Sequence, residues 1–335
     1  MMKQMKRSVV MVFLMVVILT LPATLLAAPY YEGKTINIVV GHSPGGGNDV
    51  VARVVSKHLS KHIPGKPAVI VQNMVGASGM IAANHVYGKT KPDGLTLLAT
   101  DRILGIAQLL KVDGVRYDFK KYGWAGSVSS VAVVLFIRND LPYKTFNELK
   151  SKKPVYLGGS GPTGILSQMA RITKDFLGLD VKVVDYRGST DIVLAIEQKE
   201  IDGFWSDFNT FRPHVDRGLI RPVLRSAVSL KGIEHLPVNE DLAINATGKA
   251  VMGMLGRTAV MGRVYLSTPG TPDNVMGILR EGFARMLKDP ELQADAKKIQ
   301  LELEYTPAEE CLKVVDFMFN QPPEIIKVFG EYVKL

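Results

Sequence analysis

Three glycine-rich segments could bind an anion, because each lies between an apolar run and an amphipathic segment. They span residues 43–49, 76–79 and 158–163. Glycine lets the backbone approach a ligand closely, and the N–H groups at a helix N-terminus attract negative charge. Any one of these loops could be no more than a tight turn. Three in one chain favour a site that holds an anion.

Arg187 is the side chain best suited to bind a carboxylate. It follows a predicted strand, beside Gly188, and a guanidinium can pair with a carboxylate through two parallel hydrogen bonds. A surface ion pair would explain this residue equally well. Asp49 is interpreted as a cap at a helix start. Its charge would repel a carboxylate, so its influence should run through water or through ordering of the loop.

Other polar residues near these loops leave two interpretations open. His42 lies in the first loop and either contacts the ligand or supports a residue that does. Trp205, Asp207 and Phe208 follow another predicted strand and could line a cleft. Packing in the core of a sheet explains Trp205 just as well.

Known catalytic motifs do not fit these loops. The first lacks the Lys-Ser/Thr ending of a phosphate-binding P-loop. Ser78 and Ser160 each resemble the serine of a nucleophile elbow, but Met80 and Pro162 occupy positions where that motif requires glycine. Since no acid, base and nucleophile converge, the sequence indicates a binding protein that uses no cofactor or nucleotide.

The histidines and the single cysteine do not indicate a metal site. His58 and His62 are four residues apart on a predicted helix, but they lie among lysines. A solvated helix face is therefore favoured over a zinc site. Cys311 is the only cysteine, which excludes an intramolecular disulfide, and we interpret it as a buried apolar residue.

Strands and helices alternate along the chain, which predicts an α/β fold with doubly wound parallel sheets. Apolar runs at residues 36–40 and 68–72 are each followed by a loop and a helix, a further run lies at 95–99, and the same order recurs after residue 131. Thr145 with Glu148 and Thr306 with Glu309 have the spacing of capping boxes that begin helices.

The length predicts two domains around a ligand cleft. We place the first domain at residues 28–128 and 251–335, and the second at 129–250. A Gly- and Met-rich stretch at 246–262 is interpreted as the return into the first domain. A discontinuous first domain gives a hinge of two segments, which is the architecture of a closing clamp.

Residues 1–27 have the layout of a secretory signal peptide, with a basic start, an apolar run and a small-residue end. A retained N-terminal anchor is the alternative. Removal of this segment leaves 38 Lys and Arg against 32 Asp and Glu. These charges are scattered, so nucleic acid is not an expected partner. The location expected is the periplasm.

Several motifs, in order, resemble those of tripartite tricarboxylate transporter receptors, also called Bug-type or TctC-type solute-binding proteins. Residues 41–53 are similar to the P-G-G-x-x-D-x-x-A-R signature of that family. Residues 71–79 resemble N-x-x-G-A-G-G, and residues 92–98 match P-D-G-Y-T-L-L. Residues 185–188 resemble a Y-K-G element, and residues 267–272 resemble A-P-x-G-T-P. The resemblance spans the chain after the signal segment.

The resemblance implies a fold like that of periplasmic binding proteins of type II, in which two α/β domains close on a carboxylate. The first two loops would hold one carboxyl group through backbone N–H groups and waters, and the second domain would contact the rest. In this sequence the first role falls to Ser43, Gly46, Gly47, Asn48, Ala77 and Ser78. The second falls to Ser160, Thr163, Arg187 and Asp207. Ser78 stands where the family usually has glycine, and Arg187 stands in place of lysine.

The function predicted is a monomeric periplasmic receptor that captures a small mono- or dicarboxylate and delivers it to the membrane permease subunits of a tripartite transporter. No metal is expected. A receptor that presents ligand to a membrane sensor is the alternative, and an α/β enzyme is a third, weaker one.

Overall fold

The computed structural model describes residues 28–161, 165–299 and 301–333, which form two five-stranded sheets flanked by helices. The predicted signal peptide therefore lies outside the described residues. No helix within the described ranges combines the length and apolar character needed to cross a membrane.

The first sheet has the strand order β2-β1-β3-β10-β4. Its strands are β1 (Thr35–Val40), β2 (Ala68–Asn73), β3 (Thr96–Thr100), β4 (Gly123–Ser127) and β10 (Val264–Ser267). The helices after its first three strands are α1 (Gly47–Leu59), α2 (Met80–Gly88) and α3 (Ile103–Leu109). Since β1, β2 and β3 are parallel, the loops that connect them to these helices lie together at the carboxyl ends of the strands.

The second sheet has the order β7-β6-β8-β5-β9. Its strands are β5 (Val133–Arg138), β6 (Val155–Gly159), β7 (Val181–Asp185), β8 (Gly203–Asp207) and β9 (Ile220–Arg225). The helices in this part are α4 (Phe146–Leu149), α5 (Ile165–Leu177), α6 (Ser189–Glu197) and α7 (Phe208–Asp216).

Each sheet contains one antiparallel strand, which differs from the all-parallel sheets expected. β10 is antiparallel to β3 and β4, and β5 is antiparallel to β8 and β9. Both strands directly follow a segment in which the chain crosses from one sheet to the other. The chain enters the new sheet from the opposite end, and this reverses the strand direction.

The remaining helices are α8 (Ala246–Arg257), α9 (Asp273–Met286), α10 (Pro290–Lys298), α11 (Ala308–Phe319) and α12 (Pro323–Tyr332). Helices α9 and α11 pack against β4 of the first sheet and α10 packs on α1, whereas α8 and α12 pack on α5 over the second sheet. We call the first sheet with α1–α3 and α9–α11 the first lobe, and the second sheet with α4–α8 and α12 the second lobe. The domain boundaries at 128/129 and 250/251 stay a prediction, since α8 spans the second of them.

Two crossing segments, residues 128–132 and 258–263, lie side by side between the lobes. The N–H of Val128 donates to the carbonyl of Arg263 at 2.9 Å, and that of Val131 donates to Ala259 at 2.9 Å. In the reverse direction, Gly262 N–H donates to Ser129 O at 3.1 Å. A ladder of backbone hydrogen bonds thus couples the two connections.

Candidate functional site

A hydrogen-bonded network around Asp49 fixes the loop between β1 and α1. The Asp49 side chain is 1% exposed. It accepts hydrogen bonds from Gly45 N–H at 2.8 Å, from the Arg53 guanidinium at 2.9 and 3.0 Å, and from the Asn73 amide at 2.9 Å. The Arg53 hydrogen bond is the main reason that the pKa of Asp49 falls to about 2. The loop conformation is therefore set by a buried, ionised carboxylate.

Two interpretations of this loop are corrected. Asp49 is not the helix cap, because the N-cap of α1 is Gly46, which has no side-chain capping bond. Asp49 lies in the first turn of the helix and folds back to the loop instead. The glycine N–H groups are also less available than their number suggests, since Gly46 N–H donates to Ser43 O at 3.1 Å.

The loop between β2 and α2 has an unusual left-handed backbone. Gly76, Ala77, Ser78 and Gly79 all have positive φ, with values of 144, 46, 51 and 90°. Residues other than glycine pay a steric cost in this region, of about 1–2 kcal/mol each. Ala77 and Ser78 are both exposed. A strained, exposed turn at a strand end is typical of functional sites.

The first two loops touch through glycine. A Cβ at position 41 would lie 2.7 Å from the Cα of Gly79, which no side chain could accommodate without movement. The Asn73 amide also donates to the carbonyl of His42 at 3.0 Å. The two loops consequently form one surface at the carboxyl ends of β1 and β2.

A cavity of about 420 Å³ opens beside this surface. It is lined by His42, Ser78, Asp101, Arg102, Ile103, Val131 and Gly262. The first two come from the glycine loops, the next three follow β3, and the last two belong to the crossing segments. The cavity therefore lies where the first lobe meets the hinge, which suits a ligand that must bring two lobes together.

Arg102 is the cation of this cavity. Its side chain is half-buried, and within the described ranges it has no carboxylate at ion-pair distance and no hydrogen-bond acceptor. Burial lowers the pKa of the guanidinium, while the nearby charge of Asp101 opposes this shift. The backbone N–H of Arg102 donates to Met261 O at 3.1 Å, which ties it to the second crossing segment.

The residues predicted to bind ligand from the first lobe are only partly gathered at the cavity. Ser78 lines it, whereas Ser43, Gly46, Gly47 and Asn48 lie on the first loop outside its lining. The Asn48 amide donates to Asp101 at 3.1 Å and lies 3.0 Å from His42 Nδ1. Asn48 thus positions two of the lining side chains.

The residues predicted from the second lobe do not line this cavity. Ser160 N–H donates to Ser167 Oγ at 2.9 Å, and Asp207 caps α7 by accepting from Thr210 N–H at 3.0 Å. Arg187 is exposed and forms no ion pair with any described residue, so the interpretation as a surface ion pair has no support. Thr163 lies outside the described residues.

Sequence reasoning missed Asp101 and Arg102. The available signal was their position, directly after the buried strand β3, at the same sheet edge as the two glycine loops. No glycine adjoins these two residues, so they do not belong to a glycine-rich turn of the kind that marks the other loops. Arg263 was missed as well. It reaches from the second crossing segment to Gly47 O at 3.4 Å and Ser129 Oγ at 3.1 Å.

The helix face that carries His58 and His62 is not solvated, contrary to expectation. His58 is 1% exposed and lies 3.1 Å from Asp295, and His62 lies 2.8 Å from Asp289 on the adjoining segment. His58, Asp289 and Glu291 are close enough to hold a metal ion. Lys61 already pairs with both carboxylates, at 2.8 and 2.7 Å, so the group is an ion-pair network between the turn that follows α1 and the start of α10.

The sequence model of a family described as the tripartite tricarboxylate transporter family receptor matches residues 51–330. The chain is 30% identical over 175 residues to a protein of Agrobacterium vitis described as the UPF0065 protein in the TAR-I ttuE-ttuC' intergenic region. That alignment covers 50% of this chain and 49% of the relative, so the chain matches about half of the relative's length.

Three solved structures share the fold. A TctC solute-binding protein from Polaromonas, without ligand, has a TM-score of 0.71 at 18% identity, over 90% of this chain and 99% of that one. MatC from Rhodopseudomonas palustris with bound malate has a TM-score of 0.52 at 19% identity, over 90% and 99%. A protein of R. palustris with adipate has 0.57 at 19% identity, over 90% and 98%.

Proposed function

The chain belongs to the tripartite tricarboxylate transporter receptor family, and from that premise we propose that it closes on a small mono- or dicarboxylate and delivers it to the membrane permease subunits of a tripartite transporter. The family consists of periplasmic solute-binding receptors rather than enzymes. We therefore assign the cavity a role in binding and no role in catalysis.

The observation that carries the proposal is a half-buried arginine, Arg102, that lies in a cavity at the hinge and has no anionic partner among the residues that the structure describes. A cation that is partly removed from water gains most from an opposite charge that enters its cavity. Ser78 lies in the same lining, on a turn whose exposed backbone suits close contact with a ligand. Malate and adipate, bound by two proteins of this fold, are both small dicarboxylates.

We assign the two lobes different tasks. The first-lobe residues Ser43, Gly46, Gly47, Asn48, Ala77 and Ser78 hold one end of the ligand, and Asp49 orders their loop. The second-lobe residues Ser160, Thr163, Arg187 and Asp207 reach the ligand when the lobes close about the two crossing segments. Closure is needed because Ser160, Arg187 and Asp207 lie outside the cavity lining in the present conformation.

A thermal-shift screen of the purified protein tests the ligand class. Carboxylates of three to six carbons, malate and adipate included, should raise the unfolding temperature, because a ligand bound only by the native state stabilises it by about 2.7 kcal/mol at 100 times its Kd. Sugars and neutral polyols serve as controls. A response to these controls with none to any carboxylate overturns the proposal.

Transport and location need separate tests. N-terminal sequencing of exported protein should give a start near Ala28, and size-exclusion chromatography should give a monomer.

The transport role is tested by deleting the genes for the tripartite permease subunits. If the receptor serves transport, this deletion should abolish uptake of the carboxylate found in the screen. Uptake that persists, with a lost transcriptional response to the same acid, would indicate a sensor partner instead.

A further inference from the structure

Two neighbouring side chains of opposite charge face the cavity without pairing with each other. Asp101 and Arg102 both line it, yet no ion pair joins their charged groups within the described part of the chain. Each charged group is thus available to a ligand. A partly buried charge is usually paired, so two charges of opposite sign that line one cavity suit a ligand that offers both a negative group and a hydrogen-bond donor.

Asp101 is held in place by its own loop. Its Oδ1 accepts the N–H of Ile103 at 2.8 Å, and its Oδ2 accepts the Asn48 amide at 3.1 Å. These bonds orient the carboxylate and keep it away from the guanidinium of Arg102. Each carboxylate oxygen can accept a further hydrogen bond, so Asp101 can still receive a donor from the ligand.

Arg102 is fixed at its backbone, while its side chain forms no hydrogen bond or ion pair with any residue in the described ranges. The N–H bond to Met261 O places the residue against the second crossing segment. The planar guanidinium offers donors in a fork that matches a carboxylate. Burial lowers its pKa, which shows that the charge has already lost part of its hydration. The loss is recovered when a carboxylate binds.

We propose that Asp101 and Arg102 form a specificity subsite for a carboxylate that bears a hydrogen-bond donor, a hydroxyl or an ammonium group, on the adjacent carbon. Arg102 pairs with the carboxylate, and Asp101 accepts the bond from the donor. The inference rests on the proposed function and narrows the class of ligand from carboxylates in general to 2-hydroxy or 2-amino acids.

Titration calorimetry with two matched sets of probes tests the subsite. One set is malate, aspartate and succinate, and the other is lactate, alanine and propionate, with the unsubstituted acid last in each. The wild-type protein should bind at least one substituted acid about 10- to 100-fold more tightly than its unsubstituted partner, the range expected for one hydrogen bond to a charged acceptor. The member preferred, hydroxy or amino, identifies the donor.

Variants assign the two roles. Arg102→Gln should weaken all acids of the preferred set by about 30-fold or more, and Arg102→Lys should weaken them less, because the charge stays while the fork is lost. Asp101→Asn should reduce the preference for the donor to within about threefold while succinate or propionate binds as before. Arg285→Ala, which removes an exposed arginine paired with Glu281 on α9, should bind like the wild type.

Thermal unfolding of each variant without ligand distinguishes lost binding from lost folding. If Arg102→Gln does not fold, Arg102→Lys alone carries the test. The proposal is overturned by an Arg102 variant that binds as tightly as the wild type, or by equal binding of substituted and unsubstituted acids. Binding of adipate alone overturns the subsite and leaves the proposed function intact. If no carboxylate binds the wild-type protein, the proposed function itself fails.

Discussion

Each lobe uses an aspartate to hold a glycine-rich loop, and the two differ in burial. In the first lobe, Asp49 is 1% exposed and accepts bonds from Gly45, Arg53 and Asn73. In the second, Asp185 is exposed and accepts from Ser167 Oγ at 2.6 Å and Gly161 N–H at 3.0 Å. Each carboxylate accepts a hydrogen bond from a loop N–H, but water can reach only the carboxylate of Asp185.

This difference indicates that the lobes are prepared for the ligand to different degrees. A loop held by a buried carboxylate keeps one conformation before the ligand arrives, which reduces the entropy lost on binding. A loop held by an exposed carboxylate can exchange its bonds with water and rearrange. We infer that the first lobe provides a preformed surface and that the second adjusts as the clamp closes.

Among the variants that test this contrast, Asp49→Ala should have the largest effect on stability. Removal of the buried carboxylate deletes the acceptor of the Gly45 N–H, an acceptor of the Arg53 guanidinium and one of the two acceptors of the Asn73 amide, which should lower the free energy of unfolding by about 2–4 kcal/mol. The matched change, Asp185→Ala, should cost about 1 kcal/mol or less. Urea denaturation of both variants measures the two costs. Equal costs would show that burial does not separate the loops.

The pH dependence of stability gives a second measure of the same contrast. The pKa of Asp49 is lowered to about 2 from 3.8, mainly by the hydrogen bond from Arg53. The stabilisation is therefore fully present above about pH 4 and is lost as the pH falls toward 2. The advantage of the wild type over Asp49→Asn should shrink by about 2 kcal/mol across this window. The quantity to measure is the difference in unfolding free energy between the two proteins. Asp289 and Asp295 also have lowered pKa values, and their contribution to the pH dependence is common to both proteins.

Arg187→Ala tests whether the second lobe contacts the ligand only after the lobes close. Arg187 is exposed and has no partner among the described residues, so its removal should leave the unfolding free energy of the ligand-free protein unchanged. If the clamp closes over the ligand, affinity for a dicarboxylate should fall about tenfold, and affinity for the matching monocarboxylate should fall less. Calorimetry with both acids decides. An unchanged affinity would move the second-lobe contact to Ser160 or Asp207.

The smallest expected effect concerns the left-handed turn of the first lobe. Ser78 has φ of 51°, so Ser78→Gly should relieve about 1–2 kcal/mol of steric cost and lose about 0.5–1 kcal/mol to the greater entropy of the unfolded glycine. The net gain, about 0.5 kcal/mol, is measurable by chemical denaturation. Gly79→Ala, at φ of 90°, should act in the opposite direction. A loss of stability in Ser78→Gly would mean that the hydroxyl makes an interaction that offsets the strain.

The elements were well predicted where periodicity and local chemistry agree. The strand at 36–40 corresponds to β1, and Thr145 caps α4 by accepting from Glu148 N–H at 3.2 Å, as its spacing predicts. The same spacing at Thr306 and Glu309 failed. Helix α11 begins after Pro307 without a side-chain cap, because the backbone of Thr306 pairs with Ser127 instead. A contact between residues distant in sequence overrode a local signal.

The candidate site was less accessible to sequence reasoning for a related reason. Glycine loops are visible as motifs, and Ser78 was identified in this way. Whether the Arg102 guanidinium is paired depends on which carboxylates lie near it in three dimensions, and no local sequence pattern shows this. Because Asp101 directly precedes Arg102, the sequence would suggest an ion pair between the two. In the structure, the Asp101 carboxylate instead accepts hydrogen bonds from the Asn48 amide and the Ile103 N–H.

The place of β10 between β3 and β4 sets an order in which the chain can assemble. Strand β4 pairs in the first sheet only with β10, which follows it after the whole second sheet has been made. A chain that folds as it is synthesised therefore lacks the partner strand of β4 until residue 267 is available, whereas β5 to β9 are contiguous and can associate earlier. Closing so long a loop is entropically costly and slow. Pulsed hydrogen exchange during refolding should find β6 and β8 protected before β4, and the cleft should be the last part of the molecule to form.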